Sequence, residues 1–295
     1  MRWRGGRMSK NVIDARGRGG GRMGMPSGGR ARLGGVGGLG LLAIVVIGWL
    51  FGVDLSPILG GGGGGGGGFA PQQTQQVTAA DEERGEFAST VLAFTEDVWG
   101  EVYPAQTGEP YQPPQLVLFK GAIQSGCGGA TAQSGPFYCP ADERAYLDTD
   151  FFVTMERRLG AEGDFAAAYV IAHEVAHHIQ QETGILDAAN RAQSGASEVE
   201  ANAIQVRIEL QADCYAGLWA RYAGDRFGVL EPGDMDEALN AARAIGDDTL
   251  QRNAGRTVQP HTFTHGSSEQ RQRWFARGYE TGEMSACDTF GAATL

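Results

Sequence analysis

Histidine is scarce in this chain of 295 residues: there are five, at positions 173, 177, 178, 261 and 265. A protein using histidine as a generic polar residue would scatter them, so the grouping asks for a chemical reason. Cysteine is sparse too. Cys127, Cys139, Cys214 and Cys287 include no Cys-x-x-Cys pair, which argues against a thiolate zinc site. Positive charge is short beyond the N-terminus. Residues 1–32 hold nine of the 24 Lys and Arg but one of the 35 acids, leaving 34 acids against 15 bases, or −19, for the rest. A body so acidic repels nucleic acid, so no nucleic-acid partner is expected.

Long apolar runs are nearly absent as well; the exception is Leu33–Val53, 21 residues without a charge. As a helix it reaches roughly 30 Å, the thickness of a bilayer core. Basic residues precede it and no convincing cleavage site follows. The expectation is therefore a cytoplasmic tail over 1–32, an uncleaved transmembrane anchor over 33–53, and a body on the far side of a membrane. Nine consecutive glycines, Gly60–Gly68, and a glutamine-rich stretch make 54–80 a flexible linker. Residues 81–295 suffice for one domain with a substantial core.

Within that domain stands His173-Glu174-Val175-Ala176-His177. On a helix, residues four apart lie one above the other, so both imidazoles project from one face at chelating distance. Glu174, about 100° further round, suits a base that touches a metal-activated water rather than the metal. Local signals support a helix over 165–183, with Asp164 as its cap and Gly184 as its stop. His178 points away from the chelating face and reads as polar filler.

Two histidines need a third ligand for a catalytic zinc site, which leaves one position for water. A second helix, 197–223, opens with a capping box of Ser197 and Glu200. It carries Glu209 and Asp213 on one face: Glu209 as metal ligand, Asp213 as acceptor from a ligand imidazole, which fixes the ring tautomer. His265 precedes a helix over 267–281 that Ser267 caps through Gln270. It is a candidate donor to an oxyanion or to substrate.

These residues resemble a family. HEVAHHIQ, ELQADCYAG, THGSSEQR and the upstream GPFYCPADERAYLDTDFF occur in the order found in the bacterial neutral zinc metallopeptidases, membrane-anchored proteins with a zincin-type domain. The resemblance covers roughly residue 81 to the C-terminus. It implies one zinc per chain on His173, His177 and Glu209, with Glu174 as the base.

The remaining elements read coarsely. An amphipathic helix spans 81–103, short strands lie at 115–120 and within 136–147, and a further helix covers 235–252. The fold class expected is α+β, helix-rich and zincin-like, with a small sheet against the HEVAH helix. A strand near 138–147 is placed to offer its edge to an extended peptide. Four cysteines in an exported domain suggest two disulfides. Cys127 with Cys139 closes a short glycine-rich loop, leaving Cys214 with Cys287; three pairings exist in principle.

The function expected is a membrane-anchored zinc endopeptidase acting on extracytoplasmic proteins or peptides, at a bacterial inner membrane. The alternatives are a membrane-tethered binding or scaffold module with a structural or inactive zinc site, and zinc-dependent hydrolysis of a non-peptide amide.

Overall fold

The computed structural model describes residues 1–17 and 76–295. The proposed anchor at 33–53 and most of the linker lie outside them. Among the described residues, no helix is long and apolar enough to cross a membrane.

The architecture is α+β and helix-rich. After β1 (Val12–Asp14) come α1 (Ala79–Thr107), β2 (Gln115–Phe119), β3 (Ala122–Ser125), β4 (Gly128–Thr131), β5 (Phe137–Cys139), β6 (Arg144–Asp148) and the short α2 (Phe151–Thr154). Then follow α3 (Asp164–Glu182), α4 (Ile185–Gln193), α5 (Glu198–Phe227), α6 (Asp234–Ala244), α7 (Asp247–Asn253) and α8 (Ser268–Thr281). The main sheet has the order β1-β2-β6-β5. β1, β2 and β6 are parallel, and β5 runs antiparallel to β6.

Alternation along the strands sorts the core into two halves. Leu116, Leu118, Ala145 and Leu147 face the helices. Val117, Phe119, Phe137 and Tyr146 face the other way, towards the β3–β4 hairpin, with Phe137 stacked on Tyr146 at 4.7 Å. The Cys127–Cys139 disulfide ties that hairpin to β5. The stretch 138–147, expected to offer one strand edge, forms two strands, of which β6 is paired on both sides. β5 is the outer strand, and its aromatic residues are core.

α3 lies at the centre, packed against α1, α5, α6 and strands β5 and β6. Phe165, Ala168, Tyr169, Ala172, Val175, Ala176 and Ile179 are all buried on it. α5 starts at the capping box of Ser197 and Glu200 and runs past the expected end at 223 to Phe227. α5 and α8 approach almost to backbone contact. A Cβ on Gly217 would sit 1.9 Å from the Phe275 carbonyl oxygen, and one on Gly278 would sit 1.8 Å from that of Cys214. The Cys214–Cys287 disulfide closes the same region.

Several expectations are corrected. Asp164 does not cap α3; Gly163 holds the cap position, and the Asp164 carboxylate pairs with the Met1 ammonium. The single helix expected over 235–252 breaks at Ile245–Gly246, because Gly246 lies against the backbone of Ser268, where a Cβ would come within 2.5 Å of its nitrogen. α4 and the β3–β4 hairpin had no clear sequence signal. α1 begins at Ala79, capped by Thr78 and Asp81, so the linker's last residues belong to the fold.

The largest difference concerns the basic N-terminal segment. Residues 1–17 do not stand apart from the domain. β1 extends its sheet, with Val12 opposite Leu116, and Leu116 N–H donates to Asn11 O at 2.8 Å. Trp3 is buried edge-on against Phe87, 5.3 Å between centroids. Among the described residues, arginines of the basic tail bind the domain's acids: Arg2 with Glu231, Arg4 with Glu83, Arg7 with Glu96 and Asp97. Arg16 is itself buried and bridges Asp14 and Glu82. Residues 1–17 and 76–295 therefore form one folded body. The prediction is that Trp3→Ala lowers unfolding free energy by about 3 kcal/mol, the ordinary cost of truncating a buried aromatic. Urea denaturation of the full chain measures it; no change would mean that the segment stands free of the domain.

Candidate metal centre

α3 and α5 cross so that the faces carrying His173 and His177, and Glu209 and Asp213, meet. The ligand atoms of His173, His177 and Glu209 all lie within 4.8 Å of one another. His173 Nε2 is 3.2 Å from Glu209 Oε2, and His177 Nε2 is 3.8 Å from Glu209 Oε1. The two imidazoles stand nearly perpendicular, 4.8 Å between centroids. Three donor groups on one focus fit a divalent cation, and two imidazoles with one carboxylate suit zinc.

The rings are held by their outer nitrogens. His173 Nδ1 donates to Asp213 Oδ1 at 2.9 Å. His177 Nδ1 meets Gln180 Oε1 at 2.8 Å. The Gln180 amide nitrogen already donates to the Ile208 carbonyl at 2.8 Å and Gln211 Oε1 at 3.0 Å. Its oxygen therefore faces His177, which makes Nδ1 the protonated ring atom. In both histidines Nε2 is left as the ring atom that faces Glu209, 3.2 Å from Oε2 for His173 and 3.8 Å from Oε1 for His177. Gln211 in turn donates to the Cys287 carbonyl at 3.0 Å, so the relay from His177 ends at the disulfide-tied C-terminal segment. Gln205 Nε2 donates to Glu209 Oε1 at 3.0 Å.

Electrostatics divides the two histidines. Burial alone would lower His173, but Asp213 and Glu209 outweigh it and raise the imidazole to about 9. Burial lowers His177 to about 4, with Glu209 pulling the other way. Metal binding to this cluster must therefore release the proton on His173. Burial raises Glu209, yet the imidazoles of His177 and His173 hold its carboxyl well below the ordinary range. Glu174, beside this cluster, is pushed up to about 7 by burial, which suits a group that takes and gives a proton near neutrality.

His265 is not one of the three converging ligands. It is buried, and its Nδ1 lies 3.3 Å from Asp247 Oδ1, leaving Nε2 as its free nitrogen. Burial would lower its pKa, but Asp247 raises it, and the imidazole lies within electrostatic reach of Glu174 and Glu209. His178, expected to be polar filler, is buried and bonded at both nitrogens: Nδ1 to the Tyr138 hydroxyl at 3.0 Å, Nε2 to the Gln112 carbonyl at 2.6 Å. It ties α3 to β5 and to the loop before β2.

Sequence reasoning missed Gln180, Tyr169, Asp247 and Arg271. Gln180 had a usable signal, since it lies three residues past His177 on the same helix. Asp247 had none. Its Oδ2 accepts the backbone N–H groups of Thr264, His265 and Gly266 at 2.7–2.9 Å and so shapes the turn that carries His265. Arg271, fully buried on α8, forks onto Asp213 with Nε to Oδ2 at 2.8 Å and Nη2 to Oδ1 at 2.9 Å.

Residues 1–290 match the family described as "Putative neutral zinc metallopeptidase", and the chain belongs to that family. It is 46% identical over 292 residues to the uncharacterized protein YpfJ of Escherichia coli, covering 99% of both chains. It is 47% identical over 208 residues to an uncharacterized protein of Mycobacterium tuberculosis, covering 67% of this chain and 68% of that protein. No solved structure matches.

The turn anchored by Asp247 carries a prediction. Asp247→Ala leaves three buried N–H groups without their acceptor, and is expected to cost about 3 kcal/mol or more. Thermal and urea unfolding of the variant check it; wild-type stability would mean that the turn holds without the carboxylate.

Proposed function

We propose that this protein is a zinc-dependent endopeptidase of zincin type, acting on proteins or peptides outside the cytoplasm. The observation that carries the reading is the convergence of His173, His177 and Glu209, each histidine turned by its own outer partner so that Nε2 faces the focus. Zinc held there would supply a Lewis acid and a water of lowered pKa.

The chain's own residues do the rest. Glu174 takes a proton from the attacking water and returns it to the leaving amine, a task matched to a carboxyl raised to about 7. His265, turned by Asp247, is the candidate hydrogen-bond donor to the oxyanion. Asp213 and Gln180 keep the two imidazoles in one tautomer. A scaffold with a structural metal would call for a fourth protein ligand, and among the described residues the cluster holds three.

The test uses the full chain, purified oxidised, as wild type and as Glu174→Gln. Expected are about one zinc per chain in both, and cleavage of unfolded casein by wild type alone. Cleavage by the variant at the wild-type rate would remove Glu174 from the reaction. Zinc in both with cleavage by neither would favour the scaffold reading.

We further propose an extracytoplasmic location at the bacterial cell membrane, with association through the uncharged segment 33–53. The two disulfides support an oxidising compartment. A single crossing would part residues 1–17 from the domain whose sheet they extend. Both parts are therefore expected on the outer side. Cysteines introduced at the exposed Met8 and Val199 should react alike with a membrane-impermeant maleimide on spheroplasts. Reaction of only one would restore the single-crossing topology.

A further inference from the structure

Arg271 is the one fully buried arginine among the described residues, and it reaches the metal cluster from a helix that contributes no ligand. Its guanidinium makes a two-pronged contact with Asp213, and Nη2 also lies 3.2 Å from the Tyr169 hydroxyl. Tyr169 in turn donates to Asp213 Oδ1 at 2.5 Å. Asp213 Oδ1 thus accepts from Tyr169, His173 and Arg271, and Oδ2 accepts from Arg271. With this set of donors the carboxylate has one orientation left, and the plane of its oxygens sets the rotation of the His173 ring.

From this arrangement we infer that Arg271 is a positioning residue for the metal centre. Acting through Asp213, it fixes the ring orientation and tautomer with which His173 offers Nε2. Two further observations support this. α8 is pinned to α5 at Gly217 and Gly278, where any Cβ would collide with backbone, so the guanidinium cannot drift from Asp213 by helix sliding. The fork also cancels the charge of Asp213. The ligand set then keeps a single net carboxylate charge, that of Glu209, against a divalent cation. A lysine could supply the charge but not the two-pronged geometry.

The inference rests on the metal-site reading above, and its test separates the two. Zinc dissociation constants are measured on the metal-free full chain by competition with a chromophoric chelator. The variants are Arg271→Met, Arg271→Lys, Asp213→Asn and the double Asp213→Asn/Arg271→Met. Wild type that fails to bind zinc sinks the metal reading itself. Given wild-type binding, Arg271→Met is expected to weaken it roughly 10–100-fold, the usual loss when a ligand's outer partner is removed. Arg271→Lys should recover part of that loss. The double variant should bind no more weakly than Asp213→Asn alone, because Arg271 acts through that carboxylate.

Should Arg271→Met fail to fold with an unpaired buried carboxylate, the lysine and double variants carry the test, since neither leaves an uncompensated charge. In metal-free protein, at a pH above the His173 value of about 9 so that the ring is neutral, nitrogen NMR of His173 should show the Nδ1–H tautomer in wild type and a mixture in the double variant. Zinc affinity in Arg271→Met or Arg271→Lys equal to or tighter than wild type overturns the inference. So does a double variant whose loss is the product of the two single losses.

Discussion

The site depends on one crossing, that of α3 over α5. Each helix contributes a pair of functional residues four positions apart, His173 with His177 and Glu209 with Asp213, and the pairs must face each other at ligand distance. Such an approach needs small residues beside the functional ones. Ala172 and Ala176 on α3 and Ala212 and Ala216 on α5 are all fully buried. Much of the remaining structure holds that crossing in place. α8 is locked to α5 through Gly217 and Gly278, the Cys214–Cys287 disulfide fastens the chain's end to α5, and the sheet backs α3.

Burying so many ionisable groups in one place has to be offset group by group. Asp213 is offset by Arg271, and Asp247 by three backbone N–H groups and His265. Glu209 is treated differently. Its polar partners are two imidazoles and the Gln205 amide, with no arginine or lysine paired to it among the described residues. A buried carboxylate whose partners are imidazoles rather than an arginine or lysine is one that a divalent cation would fit.

What could be read in the sequence was whatever lies within one helix. The four-residue spacing of His173 and His177, the capping boxes at Ser197 and Ser267, and the shared face of Glu209 and Asp213 are local, and the structure has these elements where the periodicity put them. Contacts between distant segments were hidden. Arg271 sits in a polar helix, SEQRQRW, where any arginine reads as surface, and only the close packing of α8 on α5 buries it. The break at Gly246, which frees Asp247 for the His265 turn, arises from the neighbouring backbone at Ser268 rather than from local preference. The partners of the first N-terminal arginines were hidden for the same reason. A run of basic residues before an apolar stretch has a topological meaning in isolation. That meaning changes when Arg4, Arg7 and Arg16 have carboxylates of α1 as partners.

The two imidazoles are held in unlike ways, and the difference has a chemical consequence. His173 leans on a carboxylate and His177 on a neutral amide. Carboxylates behind both rings would bring the charge of the cluster to −3 with Glu209, enough to cancel a divalent cation and blunt its pull on a water or a carbonyl. With Gln180 behind one ring and Arg271 neutralising the carboxylate behind the other, Glu209 alone counts against the metal. A bound divalent cation would then leave a net positive centre beside Glu174, whose carboxyl is raised by burial. That positive charge would favour the ionised carboxylate, so the group that burial tends to protonate would become a competent base with the metal in place. On the reading proposed above, Glu174 would be coupled to Arg271 although no hydrogen bond joins them, since the guanidinium would set how much of a bound cation's charge reaches the base.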